Sequence, residues 1–394
     1  MADSKVTVCG IGNSGIKIIS RLSALKEASW LSVSAIDTDE SSLERCATDN
    51  KFTAATEWRN GKGCGGDMLN GQRALARERS KINDMLKDSS LLIVTGGLGG
   101  GTATGGAPII ASVAKHAKIP SIFIMTMPFA LEGHSKRRVA EEGVRELLPV
   151  ADVLLCLPND LLFSSLPTDT PVAAAFEQAD MEVARAIIGV SELIRCNNLI
   201  SADFSDLRAV LHEKKSSCSI GVGSASIDDG LNRCHIALEK MLCSPFLGGV
   251  SQMNTADALF ITLTGGADLQ IGEMKKALEA AERLAGKKTR LIAGTNTDPA
   301  YEGMVQLTAI TVHYDKSAPL ATPADSGKDF IFPKSQFKGR EAKEKKAAEL
   351  KQGELPLQSV SKGIFINTTP SIYEGKDLDI PTFQREMIII DKGN

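Results

Sequence analysis

Gly96-Gly97-Leu98-Gly99-Gly100-Gly101-Thr102-Ala103-Thr104-Gly105-Gly106 is the stretch on which the reading of this chain turns. It follows an apolar run, Leu91 to Thr95, and opens a segment with helical character. Successive glycines let several backbone N–H groups converge into one concave nest, and Thr102 and Thr104 add hydroxyl donors; the combination suits the clustered charge of a di- or triphosphate. Two more glycine loops accompany it. Gly10-Ile11-Gly12-Asn13-Ser14-Gly15 closes the apolar run Val6 to Cys9, and Asp37 ends the next run about twenty residues on, which completes a dinucleotide fingerprint with a helix N-terminus facing the phosphates. Gly61-Lys62-Gly63-Cys64-Gly65-Gly66-Asp67 follows the second predicted strand and could cover an outermost phosphate. Each loop alone also fits a tight structural turn, and the first alone fits a nicotinamide or flavin dinucleotide. A dinucleotide fold has no need of the stretch from Gly96 to Gly106. No Gly-x-x-x-x-Gly-Lys-Ser/Thr occurs, so the site is not a Walker-type loop.

Outward from these loops, apolar runs at Val6 to Cys9, Leu31 to Ile36, Leu91 to Thr95, Ser121 to Thr126 and Val153 to Leu157 alternate with helical patterns such as Ala74 to Leu86 and Arg138 to Leu148. That alternation predicts an α/β domain with a Rossmann-like parallel sheet, whose ligands bind at the carboxyl ends of the strands. Thr170-Pro171 then opens a long central helix with Phe176, Ala179, Val183, Ile187, Val190 and Ile194 on one side. Strands at Leu259 to Thr264, Leu291 to Ala293 and Val305 to Val312, around an amphipathic helix at Ile271 to Leu284, predict a second, smaller α/β domain. From Tyr314 onward prolines punctuate a polar stretch, which reads as a disordered linker ending in a tail peptide. The expected division is 1–170, a central helix over 171–200, 201–314, a linker over 315–376 and a tail over 377–394.

The 394 residues carry 45 Lys+Arg against 48 Asp+Glu, a net charge of -3, which argues against a nucleic-acid binder. The 5% aromatic content argues against a stacking platform for sugars or single strands. No stretch approaches the ~20 apolar residues of a membrane span and the N-terminus lacks a signal-peptide core, so a cytoplasmic protein is expected. Eight cysteines and five histidines are scattered without metal-ligand spacing, and the cysteines read as reduced packing residues.

These motifs together resemble the FtsZ family of bacterial tubulin homologues. Gly99 to Gly105 is similar to the family's Gly-Gly-Gly-Thr-Gly-Thr-Gly, and further blocks fall in its order: Asp37-Thr38-Asp39, Pro128-Phe129 through Glu132-Gly133, Pro158-Asn159-Asp160, Ala175-Phe176 with Asp180, and Asp203-Phe204-Ser205-Asp206. The end, Asp379-Ile380-Pro381-Thr382-Phe383-Gln384-Arg385, resembles the family's tail. The resemblance implies a GTP-binding, GTP-hydrolysing protein that polymerises head-to-tail at the division site. In it Gly12, Asn13, Gly99, Gly100, Gly101, Thr102 and Thr104 hold the phosphates, Gly65 and Gly66 the terminal phosphate, Glu132 the ribose, Lys136 the nucleotide, and Phe176 and Asp180 the guanine. Asp203 and Asp206 activate water, Mg²⁺ is expected with GTP or GDP, and Asp379, Ile380, Pro381, Phe383 and Arg385 bind membrane tethers and division regulators, so that membrane contact is indirect.

Chemistry supports part of this. A carboxylate at Asp180 accepts hydrogen bonds from the N1–H and exocyclic amine of guanine, whereas adenine presents an unprotonated N1; on its own pattern, however, Phe176 also fits the helix core and Asp180 a solvated surface. Roughly 20 helical residues at ~1.5 Å each span ~30 Å, so a helix that touches guanine near its start cannot bring Asp203 and Asp206 to the same molecule's phosphates. Hydrolysis then needs a neighbouring subunit, through a heterologous contact that repeats into a filament. The chain departs from the family at Asn13, Ser14, Ile16 and Lys17 in the first loop, at Lys136 in place of an arginine, at Ser201 and at Gln384. Ala103 replaces a signature glycine, at a cost of ~1 kcal/mol or more if that residue stands at positive φ. A tubulin-like homologue with little hydrolysis, and more remotely an NAD-dependent oxidoreductase, remain the alternatives.

Overall fold

The computed structural model describes residues 5–54, 60–167, 169–194, 209–210, 216–230, 232–314, 372–373 and 376–377. Six strands, β1 (Val6–Ile11), β2 (Ser32–Asp37), β3 (Lys51–Thr53), β4 (Leu91–Gly97), β5 (Ser121–Met127) and β6 (Val153–Pro158), form one sheet in the order β3-β2-β1-β4-β5-β6. Every neighbouring pair is parallel. Such strands are covered on both faces, which is why β1 and the first part of β4 are unbroken buried runs. The three residues of β3, at the sheet edge and only half-buried, carry too little pattern to be predicted. Chain order reverses between β1 and β4, so the loops after these two strands part and leave a crevice at the carboxyl edge.

The helices of this half are α1 (Gly12–Leu22), α2 (Glu40–Glu44), α3 (Met68–Arg77), α4 (Arg79–Met85), α5 (Gly101–His116), α6 (His134–Leu147), α7 (Asn159–Ser165) and α8 (Val172–Ile194). The segment expected as one helix over 74–86 is two, parted at Glu78, whose φ of -97° and ψ of 19° lie outside the helical basin. One face of the sheet packs Val94 and Phe123 with Leu75, Ile82 and Ile110 from α3, α4 and α5. The other packs Ile93, Ile124 and Leu155 against Ile16, Ile19 and Leu22 of α1 and Val183, Ile187 and Val190 of α8. Each such side chain, fully buried, contributes about 1.5 to 3 kcal/mol.

That second cluster continues into Ile220, Phe260, Ile310 and Val312, so α8 is shared by two sheets and acts as a spine. The second sheet contains β7 (Ser216–Ser226), β8 (Ala258–Gly265), β9 (Arg290–Thr297) and β10 (Met304–Tyr314) in the order β7-β10-β8-β9. The β8–β9 pair is parallel and the others antiparallel. On its far face α9 (Arg233–Leu242), α10 (Val250–Thr255) and α11 (Ile271–Leu284) pack Leu238, Met253 and Ala281 onto Leu259, Leu263 and Leu307. Strand β7 escaped prediction because its small, polar sequence pairs along its whole length with β10 without a strong apolar alternation.

Asp203 and Asp206, and the tail residues Asp379, Ile380, Pro381, Phe383 and Arg385, lie outside the described residues. Where the expected linker meets the expected tail, Ile372–Tyr373 and Lys376–Asp377 pair as a short antiparallel hairpin. Among the described residues, no helix is long and apolar enough to cross a membrane.

Candidate nucleotide-binding site

A cavity of about 480 Å³ opens at the crevice between β1 and β4. The chain builds one end of it from backbone and the other from side chains. At the backbone end, Gly12 and Gly99 stand at φ values of +71° and +97°, a region closed to most L residues, and these turns aim the starts of α1 and α5 at the same space. Asn13, Gly100, Gly101 and Thr102 line the space beside them, and Gly66 faces it from the loop before α3. Asp67 fixes that loop by capping α3, its Oδ1 accepting from the N–H groups of Leu69 and Asn70 at 2.8 and 3.3 Å.

Two expected phosphate residues sit differently. Gly65 is exposed next to Gly66 but is not part of the cavity wall. Thr104 is buried behind the loop, where its hydroxyl accepts the N–H of Gly99 at 2.9 Å; it shapes the turn and does not reach the cavity. Ala103 lines the cavity from within α5, and the described non-glycine residues at positive φ are Asn60, Asp88 and Lys118, so the methyl in place of glycine carries no backbone strain.

At the other end, Phe176 on α8 is 42% exposed and lines the cavity, which removes the reading that buries it in the core. It makes an edge-to-face pair with the buried ring of Phe129, centroids 5.2 Å apart. One turn further along the helix stands Asp180, half-buried; burial pushes its carboxyl up to about 6, against the pull of Lys17 and Arg21 and with the repulsion of Glu177. Glu132 and Lys136 complete the wall and bond each other, Oε2 to Nζ at 2.9 Å, while Glu132 Oε1 accepts the N–H of Phe129 at 2.9 Å.

Other residues in the wall were not assigned roles from the sequence. Asn159 opens α7, and its Oδ1 is buried without a hydrogen-bond partner. The block Pro158-Asn159-Asp160 was a usable signal for it. Lys17 and Arg45 bring two cations to the wall, and neither sits in a pattern that marks it. Asp37, expected as the acid of a dinucleotide fingerprint, is instead 3% exposed and accepts the N–H of Thr38 on Oδ1 at 2.7 Å. Among the described residues no three His, Cys, Asp or Glu side chains converge as a metal cage.

A cavity at the switch point of a parallel sheet, with three glycine loops at one end and an exposed ring beside a carboxylate at the other, defines an α/β nucleotide-binding protein. Known proteins narrow the class. The family model described as Tubulin/FtsZ family, GTPase domain, matches residues 5–167, and that described as FtsZ family, C-terminal domain, matches residues 217–315. Cell division protein FtsZ 1 of Pyrococcus woesei is 30% identical over 330 residues, 82% of this chain and 88% of its own. Cell division protein FtsZ of Azotobacter vinelandii is 30% identical over 305 residues, 77% of this chain and 76% of its own. Among solved structures, an FtsZ dimer from M. jannaschii superposes with a TM-score of 0.68 at 30% identity, covering 79% of this chain and 89% of that one. The GTPγS-bound CetZ2 protofilament from Haloferax volcanii, at 19% identity and a TM-score of 0.60 over 79% of this chain and 94% of that one, shares the fold. The chain belongs to the tubulin/FtsZ family. This membership replaces the oxidoreductase reading of Gly10 to Gly15 and Asp37.

Proposed function

We propose that this protein is a GTP-binding and GTP-hydrolysing cytoskeletal protein that assembles head-to-tail into filaments in cell division, in the cytoplasm at the division site. The observation that carries the reading is the two-ended cavity of about 480 Å³, with a glycine nest at one end and Phe176 with Asp180 at the other. The phosphates lie against Gly12, Asn13, Gly66, Gly99, Gly100, Gly101 and Thr102, with Gly65 and Thr104 shaping the loops around them. Glu132 and Lys136 take the ribose and its neighbouring phosphate, Phe176 stacks on the base and Asp180 accepts from its N1–H and amine. Hydrogen bonds to a charged group contribute about 1.5 to 3 kcal/mol, and adenine, whose N1 carries no proton, loses one of the two bonds to Asp180 and sets a lone pair against the carboxylate, so ATP is disfavoured. Mg²⁺, when bound, neutralises charge on the β- and γ-oxygens.

Helix α8 supports assembly-dependent hydrolysis. Its 23 residues at ~1.5 Å each make it about 35 Å long, with Phe176 and Asp180 near the start. Asp203 and Asp206 follow the other end in sequence and are assigned to position and polarise water on the nucleotide of the next subunit. The tail residues Asp379, Ile380, Pro381, Phe383 and Arg385 combine apolar anchors, a rigid proline and charge, and are assigned to bind membrane tethers and division regulators.

GTP turnover per molecule, measured as protein concentration is raised with ATP as control and pelleting in parallel, tests the reading. Turnover that appears above a threshold, together with sedimentable polymer and only with GTP, is expected. Constant turnover per molecule at every concentration overturns the shared site, and polymer with negligible turnover identifies a structural homologue. Asp206→Ala is expected to abolish hydrolysis while GTP affinity stays within about twofold, and an unchanged rate removes Asp206 from the mechanism.

A further inference from the structure

In the second sheet β7 is an edge strand, paired with β10 alone. Along an antiparallel edge the N–H and C=O groups of every second residue turn away from the neighbouring strand. In β7 these are the even-numbered residues. The N–H of Ile220 donates to the carbonyl of Phe246 at 3.1 Å, and the N–H of Ser226 donates to Oδ2 of Asp229 at 2.8 Å, both outside the ladder. Between them stand Val222 and Ser224, whose outward N–H and C=O groups find no partner among the described residues. An edge open along its whole length invites indiscriminate pairing. Here the chain's own acceptors close both ends and leave the middle open.

Val222 and Ser224 line a second cavity, of about 390 Å³, between β7, α8 and the end of α9. Helix α8 gives it Gln178, Glu182 and Arg185 from successive turns of one stripe, and α9 gives it Lys240. The Glu182 side chain is only 10% exposed, and its Oε1 accepts from Arg185 Nη1 at 2.8 Å. Arg185 and Lys240 are half-exposed, at 48% each, and Lys240 reaches Asp229 at 3.4 Å. A molecule in this cavity therefore meets two cations and one buried, already paired carboxylate, and the wall favours negative charge. The edge is also held still. A Cβ on Gly223 would lie 2.1 Å from the carbonyl oxygen of Ala237, so α9 rests directly on the backbone of the strand.

Donors and acceptors that recur every second residue, about 6.6 Å apart, match an extended chain and no compact ligand. A peptide that adds to a sheet edge takes its affinity from such main-chain bonds and its specificity from the side chains beside them. We propose that the open edge of β7 docks an extended acidic segment of a partner protein, which joins the second sheet as a strand beside Val222 and Ser224 and sets its carboxylates against Arg185 and Lys240. A second copy of this chain fits less well, because two β7 edges paired isologously would gather the cations of both copies around one slot. The inference is independent of the nucleotide reading, whose residues on α8, Phe176 and Asp180, line the other cavity.

The test selects peptides from a random decapeptide library for binding to the full-length protein without nucleotide, and against binding to Ser224→Pro. Proline there removes one outward N–H and costs no ladder bond, since the lost donor faces away from β10. The selected peptides should be rich in Asp and Glu. By calorimetry they should bind Ser224→Pro at least about tenfold more weakly than wild type, and should weaken with added salt and with Lys240→Gln. N-methylation of alternate peptide nitrogens should abolish binding while methylation of the others should not, a two-residue period that a role of Ser224 in folding alone would not produce. Failure to select any peptide that distinguishes the two proteins overturns the proposal, as does a basic or uncharged consensus, or methylation without alternation. A dimer of the protein alone that Ser224→Pro dissolves gives the edge to a second copy and overturns it too. Where Ser224→Pro fails to fold, Lys240→Glu, a surface charge reversal, replaces it in the selection, and the methylation series on wild type decides.

Discussion

The two ends of the cavity are built on opposite principles. At the glycine-loop end the wall is mostly backbone whose directions follow from φ and ψ, and the side chains around it are buried, Cys64, Thr38 and Thr102 bonded in sequence and Thr104 to the N–H of Gly99. At the Phe176 end the wall is made of exposed or half-buried side chains on α1 and α8. An end made of backbone is part of the fold, so damage there is felt as instability. An end made of side chains can change its ligand without disturbing the core.

The largest effect should separate two roles among the glycines themselves. A Cβ on Gly71 of α3 would lie 2.0 Å from the carbonyl oxygen of Gly101, whereas a Cβ on Gly100 meets nothing within 4 Å. Backbone cannot yield as a side chain can, so Gly71→Ala forces α3 away from α5. Overpacking of this kind costs about 3 kcal/mol, which lowers the Tm by roughly 6 to 12 °C. Gly100 sits at φ -96° and ψ 177°, a conformation open to alanine. Gly100→Ala should move the Tm by no more than about 3 °C, yet weaken GTP binding by about tenfold or more if the phosphates take the proposed place beside it. Thermal unfolding with and without GTP distinguishes the pair; equal Tm losses would mean that the two glycines do the same work.

At the other end Asp180→Asn should reverse the balance. The amide accepts one hydrogen bond where the carboxylate accepts two and presents an NH₂ to the donors of guanine, so GTP affinity should fall by about 10- to 100-fold. ATP affinity should change little, and the Tm without nucleotide should hold or rise, because a half-buried charge is removed. Competition binding of GTP and ATP against one fluorescent probe checks this. Retained selectivity would move guanine recognition elsewhere in the wall, with Asn159 and its unpartnered Oδ1 the next candidate.

What could be read from the sequence follows the same division. The parallel sheet was legible because β1, β4 and β5 are apolar runs closed by glycine or turn residues, and each loop carries its own φ signal. That Phe176 and Asp180 line the cavity was legible only through family resemblance, since on spacing alone they fit a core helix with a solvated acid better. Contacts across the fold left no local trace: Thr38 and Thr102 are 64 residues apart, and Thr38 and Cys64 are 26 apart. The glycine stretch was also read too simply. A Cβ on Gly105 would meet the backbone of α3 at 2.0 Å, so this glycine lets two helices touch and does not line the cavity.

The smallest predicted effect is a pH dependence in which stability and affinity move in opposite directions. Burial raises the Asp180 carboxyl from its ordinary 3.8 to about 6. A carboxyl whose folded value lies above its unfolded value stabilises the fold fully below pH 3.8, and this contribution is lost as pH rises through 6. Guanine donors bind the ionised form, so between about pH 4 and 6 GTP affinity should climb while the stability of the empty protein declines, and both should level off above about pH 7. Nucleotide phosphates also titrate near pH 6, and the comparison must therefore be the ratio of wild type to Asp180→Asn, in which that contribution cancels. The ratio of affinities should rise with pH and the difference in Tm should run the other way. A flat ratio would show that Asp180 does not accept from the base, and it would leave Asn159, with its unpartnered Oδ1, as the next candidate for reading it.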